Sequence, residues 1–161
     1  MQVANLSYGL LAALAIALLT AAFTDLRRRQ IDNRLNAAIA LAAPLFWYAI
    51  GLTLPEIGWQ LALALGAFAV LAGLFAIGAM GGGDVKLLAA LALWIRPEWF
   101  LQLILLMALL GGILTIVFGA WHITRRRKDK LAIPYGVAIA AAGLWVLGTQ
   151  YLPAFQAGTQ I

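Results

Sequence analysis

Six apolar stretches separated by short polar breaks run the length of this chain, at residues 6–24, 35–52, 57–77, 85–95, 99–123 and 133–152. That alternation is the strongest constraint on the fold. Of the 161 residues, 65% are hydrophobic and only 11% are charged, whereas soluble domains carry roughly 45–50% and about 25%. One soluble core of this size could not hide so much apolar surface. A membrane span needs about 20 mostly apolar residues, so the chain has room for about six or seven spans and little else. The expected architecture is all-α: a polytopic membrane protein of about six transmembrane helices, forming a single membrane-embedded domain over residues 1–161. The first stretch lacks a preceding basic region, and its arginines follow it. It therefore reads as a retained span and not as a cleaved signal.

The basic residues assign the two sides. Arg27, Arg28, Arg29 and Arg34 fall in the first break, Lys86 just after the third, and Arg125, Arg126, Arg127, Lys128 and Lys130 in the fifth. Alternating breaks lie on one side, so these ten share a side and Arg96 alone faces the other. The positive-inside rule makes the ten-residue side cytoplasmic and places both termini outside. Trp47, Tyr48, Trp59, Trp94, Trp99, Trp145 and Tyr151 cluster at the predicted outer ends, where amphipathic rings are expected. The net charge of +5 is thus an orientation signal, and no nucleic-acid partner is expected.

The fourth stretch is too short. Nine apolar residues separate Lys86 from Arg96, and at ~1.5 Å per residue they cover about 14 Å of a hydrocarbon core ~30 Å thick. Local thinning, outward snorkelling of the two cations, or a start drawn deeper to include Gly81–Asp84 would each accommodate it. The last option implies a wet cavity around Asp84, because irregular backbone at depth must line one or be buried in protein.

The chain has no cysteine and one histidine, His122. Disulfides, thiol nucleophiles and cysteine-based zinc sites are excluded, and no metal or other cofactor is expected. Carboxylates remain. Asp25 ends the first apolar stretch, and Asp84 follows three glycines and opens the fourth. Both lie at cytoplasmic ends, so both can sit at one depth. Two carboxylates and a water suffice for peptide hydrolysis, one ionised to deprotonate the water and one protonated to donate to the scissile carbonyl. Neighbouring carboxyl groups tend to share one proton, because like charges at short range do not both ionise easily. Blander roles exist for each feature: a helix cap for an aspartate at a span end, and close helix packing for the glycines. Asp129, within its basic run, reads as a solvated ion-pair partner.

Met80-Gly81-Gly82-Gly83-Asp84-Val85-Lys86-Leu87 resembles the Gly-x-Gly-Asp motif of the type IV prepilin peptidases. Thr24-Asp25, followed by Arg27–Arg29 and then Ile31-Asp32-Asn33, is similar to that family's first catalytic segment. Ile133-Pro134-Tyr135-Gly136 resembles its late segment. The resemblance implies a Gly-x-Gly-Asp aspartic membrane protease with Asp25 and Asp84 as the catalytic pair. Gly81, Gly83 and Lys86 are then supporting motif positions. It implies prepilin substrates, each with a short basic leader and an apolar helix, cut at the cytoplasmic face of a bacterial inner membrane. Asp32 stands where the family often has proline and adds a third nearby carboxylate. With no cysteine and no space for a methylating domain, the chain is similar to the minimal peptidases of Flp/Tad-type systems, for which cleavage without methylation is expected.

Two other classes compete. A proton- or ion-coupled transporter could use the same carboxylates as relays, although the middles of the six stretches hold no acid or base. A non-catalytic component of a pilus or secretion assembly would need neither aspartate. The sidedness is checked by single cysteines in this cysteine-free chain. Arg28→Cys should react with an impermeant thiol reagent only after the cytoplasmic side is opened, and Thr53→Cys should react in intact spheroplasts.

Overall fold

The computed structural model describes residues 2–124 and 133–153, with side chains from Asn5 onward. The helices are α1 (Gln2–Arg28), α2 (Asn33–Ile50), α3 (Leu54–Ala76), α4 (Gly82–Ala92), α5 (Pro97–Thr124) and α6 (Tyr135–Val146); α6 continues into a π-helical turn, Leu147–Tyr151. Among the described residues there is no strand. Three stretches, Asn5–Arg28, Leu54–Ala76 and Pro97–Thr124, are long and apolar enough to cross a membrane. The protein is a membrane-type helical bundle. The basic run 125–130, with Asp129, lies outside the described residues.

Local chemistry explains the helix ends. Asp32 caps α2, its Oδ1 accepting the Arg34 N–H at 2.8 Å. Gly51, at φ 70°, closes α2 in the left-handed conformation, which glycine adopts without a Cβ penalty. Glu56 reaches back to the Thr53 N–H at 2.8 Å and opens α3, as the N3 carboxylate of a capping box does. Two ends differ from the sequence expectation. The first break was placed at 25–34, but α1 runs on to Arg28 and takes Asp25 into its last turn. The third break was placed at 78–84, but α4 opens at Gly82 and takes Asp84 into its first turn.

The short fourth stretch becomes an 11-residue helix. It packs against α2, α3 and α6, with Leu87, Leu88, Leu91 and Ala92 fully buried. A helix enclosed by protein need not match the thickness of the bilayer.

The last carbonyls of a helix have no partner within it, and here side chains from three other elements meet them. Gln60 Nε2 on α3 donates to Ala92 O and Ile95 O, each at 2.7 Å. Trp47 Nε1 on α2 donates to Leu93 O at 2.7 Å. The Tyr151 hydroxyl beyond α6 donates to Trp94 O at 2.6 Å. Trp94 in turn donates through Nε1 to Ile39 O at 2.8 Å. Trp47, Trp94 and Tyr151 are therefore buried hydrogen-bond donors, which corrects their expected place in an interfacial belt. Tyr48, Trp59 and Trp145 are exposed. Arg96 does not stand alone: it pairs with Glu56 at 3.1 Å and Glu98 at 3.4 Å.

Helices α1, α5 and α6 close the other side through small residues. A Cβ on Gly143 of α6 would lie 2.9 Å from Leu18 Cδ1 of α1, and one on Gly111 of α5 would lie 2.8 Å from the Tyr135 ring. Close approach of this kind is how helices gain contact where lipid is as apolar as protein. The capping of α4 gives a stability prediction. Gln60→Leu leaves two carbonyls without their donor and should destabilise the bundle by roughly 1–3 kcal/mol, measured by equilibrium unfolding in mixed micelles.

Candidate functional site

Asp25 is buried in the last turn of α1. Its Oδ2 accepts the Gly136 N–H, in the first turn of α6, at 2.8 Å. The first N–H groups of a helix have no partner within it, so a carboxylate there satisfies a donor and meets the positive end of the helix dipole. The approach depends on the absence of a side chain. A Cβ on Gly136 would lie 2.9 Å from Asp25 Oδ2 and 2.9 Å from Ile31 Cδ1. This gives the Ile133-Pro134-Tyr135-Gly136 segment a local purpose. Tyr135 anchors the same turn, its hydroxyl 3.1 Å from Thr115 Oγ1 on α5.

After α1 the chain reverses at Arg29, a non-glycine residue at φ 55° whose N–H still bonds to Asp25 O at 2.9 Å. The Arg29 guanidinium lies 5.2 Å from the centre of the Phe118 ring. Ile31 then turns inward and is buried. Besides touching the Gly136 position, its Cβ lies 3.3 Å from where a Cβ on Gly83 would stand. One isoleucine therefore fills the space between the start of α6 and the start of α4.

Asp84 is half-buried in the first turn of α4. Its carboxylate folds back over Gly81, where a Cβ would lie 2.8 Å from Oδ2. Gly81 has an ordinary extended φ of −73°, so it is the space over this residue, and not its backbone conformation, that demands glycine. Asp25 and Asp84 line one cavity of about 350 Å³, together with Arg29, Gln30, Ile31, Asn33 and the three glycines.

The other candidates lie elsewhere. Asp32 is exposed and serves as the α2 cap; it does not line the cavity. Lys86 does not line it either. Its Nζ donates to Asn33 Oδ1 at 2.8 Å. His122 sits in the last turn of α5. Ile31 and Asn33 stand in the sequence only as members of the first motif segment, with no role of their own, and Asn36 is not part of any motif there. Buried Asn36 donates through Nδ2 to Gly83 O at 3.3 Å, bracing the residue before Asp84. Its signal was available: it is a polar residue at the start of an apolar stretch. Chemically, the arrangement offers two carboxyl groups facing one small space, each held against a glycine at a helix N-terminus.

Residues 12–116 match the model of the type IV leader peptidase family, a region that includes both Asp25 and Asp84. A stretch of 68 residues is 40% identical to the prepilin leader peptidase/N-methyltransferase of Xanthomonas campestris pv. campestris, covering 42% of this chain and 22% of that protein. No solved structure matches. With the matched region spanning most of its length, the chain belongs to the type IV leader peptidase family.

Proposed function

We propose that this protein is an aspartic endopeptidase that removes the basic leader from Flp-type prepilins at the cytoplasmic face of a bacterial inner membrane. The supporting observation is the shared cavity: two carboxylates from different helices line one space within the region that matches the family. In this reading residues 1–161 act as one membrane domain that crosses the bilayer six times, with Arg27–Arg29 and Lys86 on the cytoplasmic side and both termini outside.

The chemistry follows from paired carboxyl groups. The ionised member takes a proton from a water, whose oxygen attacks the scissile carbonyl carbon. The protonated member donates to the carbonyl oxygen. The tetrahedral gem-diol then collapses: one hydroxyl returns its proton to the pair, the C–N bond breaks, and the new amine leaves with the other proton of the pair. The two groups share their protons, so the titration belongs to the pair and not to either residue. Gly136 holds Asp25 in place through Oδ2, Gly81 keeps the space over the Asp84 carboxylate clear, and Gly83 makes room for Ile31. Lys86 supports the site through Asn33.

Co-expression with a Flp-type prepilin, followed by gel mobility, tests the assignment. Asp25→Asn and Asp84→Asn should each slow processing by at least about a hundredfold, the lower range for loss of a general acid or base. Asp32→Asn, which keeps a good helix cap, should process as wild type does. Processing that survives both substitutions at Asp25 and Asp84 would falsify the assignment. Gly136→Ala should also slow processing, by about tenfold or more, because its methyl must displace the Asp25 carboxylate from its donor; a misplacement near 1 Å is enough for losses of that order.

A further inference from the structure

A second cavity lies beside the first. It has a volume of about 480 Å³ and runs between α2, α3 and α4. Asn33 lines both cavities, so they adjoin at the end where Asp84 sits. The walls are regular. α4 contributes Lys86, Ala89, Ala90 and Leu93, at i, i+3, i+4 and i+7, and α2 over 33–40 and α3 over 61–68 repeat that spacing. Each wall is thus one helical stripe two turns long, about 10 Å at ~1.5 Å per residue. Alanines form much of the floor, and Leu65 and Phe68 of α3 stand exposed along one edge. A groove of small residues between helices is suited to close approach by another helix.

One polar atom of a residue lining this groove is unsatisfied. Asn36 lines it and is only 4% exposed, and its Oδ1 has no hydrogen-bond partner among the described residues. The amide orientation is set by its other end, since Nδ2 donates to Gly83 O at 3.3 Å and a carbonyl can only accept. A buried acceptor is therefore left without a donor, one helical turn from the junction of the two cavities. A buried polar group without a partner is costly. The segment that follows a prepilin's scissile bond carries the complementary deficit, because the first four N–H groups of any helix lack partners within it.

We propose that the groove between α2, α3 and α4 seats the first two turns of the substrate's apolar helix, with Asn36 Oδ1 accepting a backbone N–H from its first turn. This rests on the prepilin peptidase reading and adds the location and polarity of the substrate. The helix start lies at Asn33 and Asn36, the leader crosses Asn33 into the cavity of Asp25 and Asp84, and the helix runs toward Leu93. Lys86, bonded to Asn33 at the shared rim, moves aside as the leader enters. Asn36 acts as a positioning residue: one end of its amide holds the substrate and the other holds the backbone before Asp84.

The test uses full-length protein in lipid nanodiscs with the same Flp-type prepilin. The chain contains no cysteine, so single cysteines report cleanly. In the Asp84→Asn background, which leaves substrate uncut, Ala37→Cys, Ala64→Cys and Ala89→Cys are each paired with cysteines stepped through the first two turns of the prepilin helix. Disulfides should form with a helical periodicity from all three walls, and not from Leu109→Cys on the exposed face of α5. In the active protein, Ala64→Trp should raise KM by about tenfold or more with kcat little changed, the pattern of lost binding. Asn36→Asp, which keeps the acceptor oxygen, should retain more affinity than Asn36→Ala. Crosslinking no stronger from the groove than from Leu109, or an unchanged KM for Ala64→Trp, overturns the proposal and leaves the groove to lipid chains. A prepilin that is cut but not captured defeats this inference alone; one that the wild type leaves uncut defeats the assigned function as well.

Discussion

The termination of α4 is the constraint on which the rest of the bundle depends. An 11-residue helix rises only about 16 Å against a hydrocarbon core ~30 Å thick, so its last carbonyls end among other helices. Gln60, Trp47 and Tyr151 supply donors for four consecutive carbonyls, from Ala92 to Ile95. Those donors come from α3, α2 and the turn beyond α6, so satisfying one helix end fixes the positions of three neighbours. Shortness therefore allows Asp84 to start its helix inside the protein, while the ring of donors holds the far end of that helix.

The opposite end of the bundle is organised by closeness. Asp25 meets the backbone of α6, Asp84 meets the backbone before α4, and Ile31 fills the space between them. At Gly81, Gly83 and Gly136 a methyl group would intrude on a carboxylate or on Ile31. The glycines of the motif are thus volume restrictions more than hinges. The same backbone that cradles Asp84 is braced from behind by Asn36, which ties the geometry of the small cavity to the neighbouring groove.

Much of this was legible in the sequence, because apolar length and polar breaks are local signals. Six stretches became six helices, and the short fourth stretch already pointed to a recessed Asp84. The family resemblance points to Asp25 and not to Asp32, and the cap made by Asp32 supplies a physical reason for Asp32 to be where it is. The polar breaks are wider than the gaps between helices because charge ends an apolar stretch without ending a helix; α1 carries Arg27 and Arg28 in its final turn. Trp47, Trp94 and Tyr151 were misplaced because an aromatic ring near a span end looks the same in sequence whether it faces lipid or donates inward. Partners such as Gly136 for Asp25, or Gln60 for Ala92, are set by the packing of distant helices, and no local pattern announces them.

The bond between Asp25 and Gly136 joins residues 111 positions apart, nearly the first helix to the last. Synthesis runs in one direction, so a nascent chain displays Asp25 long before the helix that positions it has been made. Both aspartates are present once α4 has emerged, yet the donor for one of them arrives only with α6. The order of the helices along the chain thus acts as a timer on biogenesis: the carboxylates acquire their final geometry as the last helix docks, and a partly inserted chain holds the acidic groups without the arrangement that aligns them.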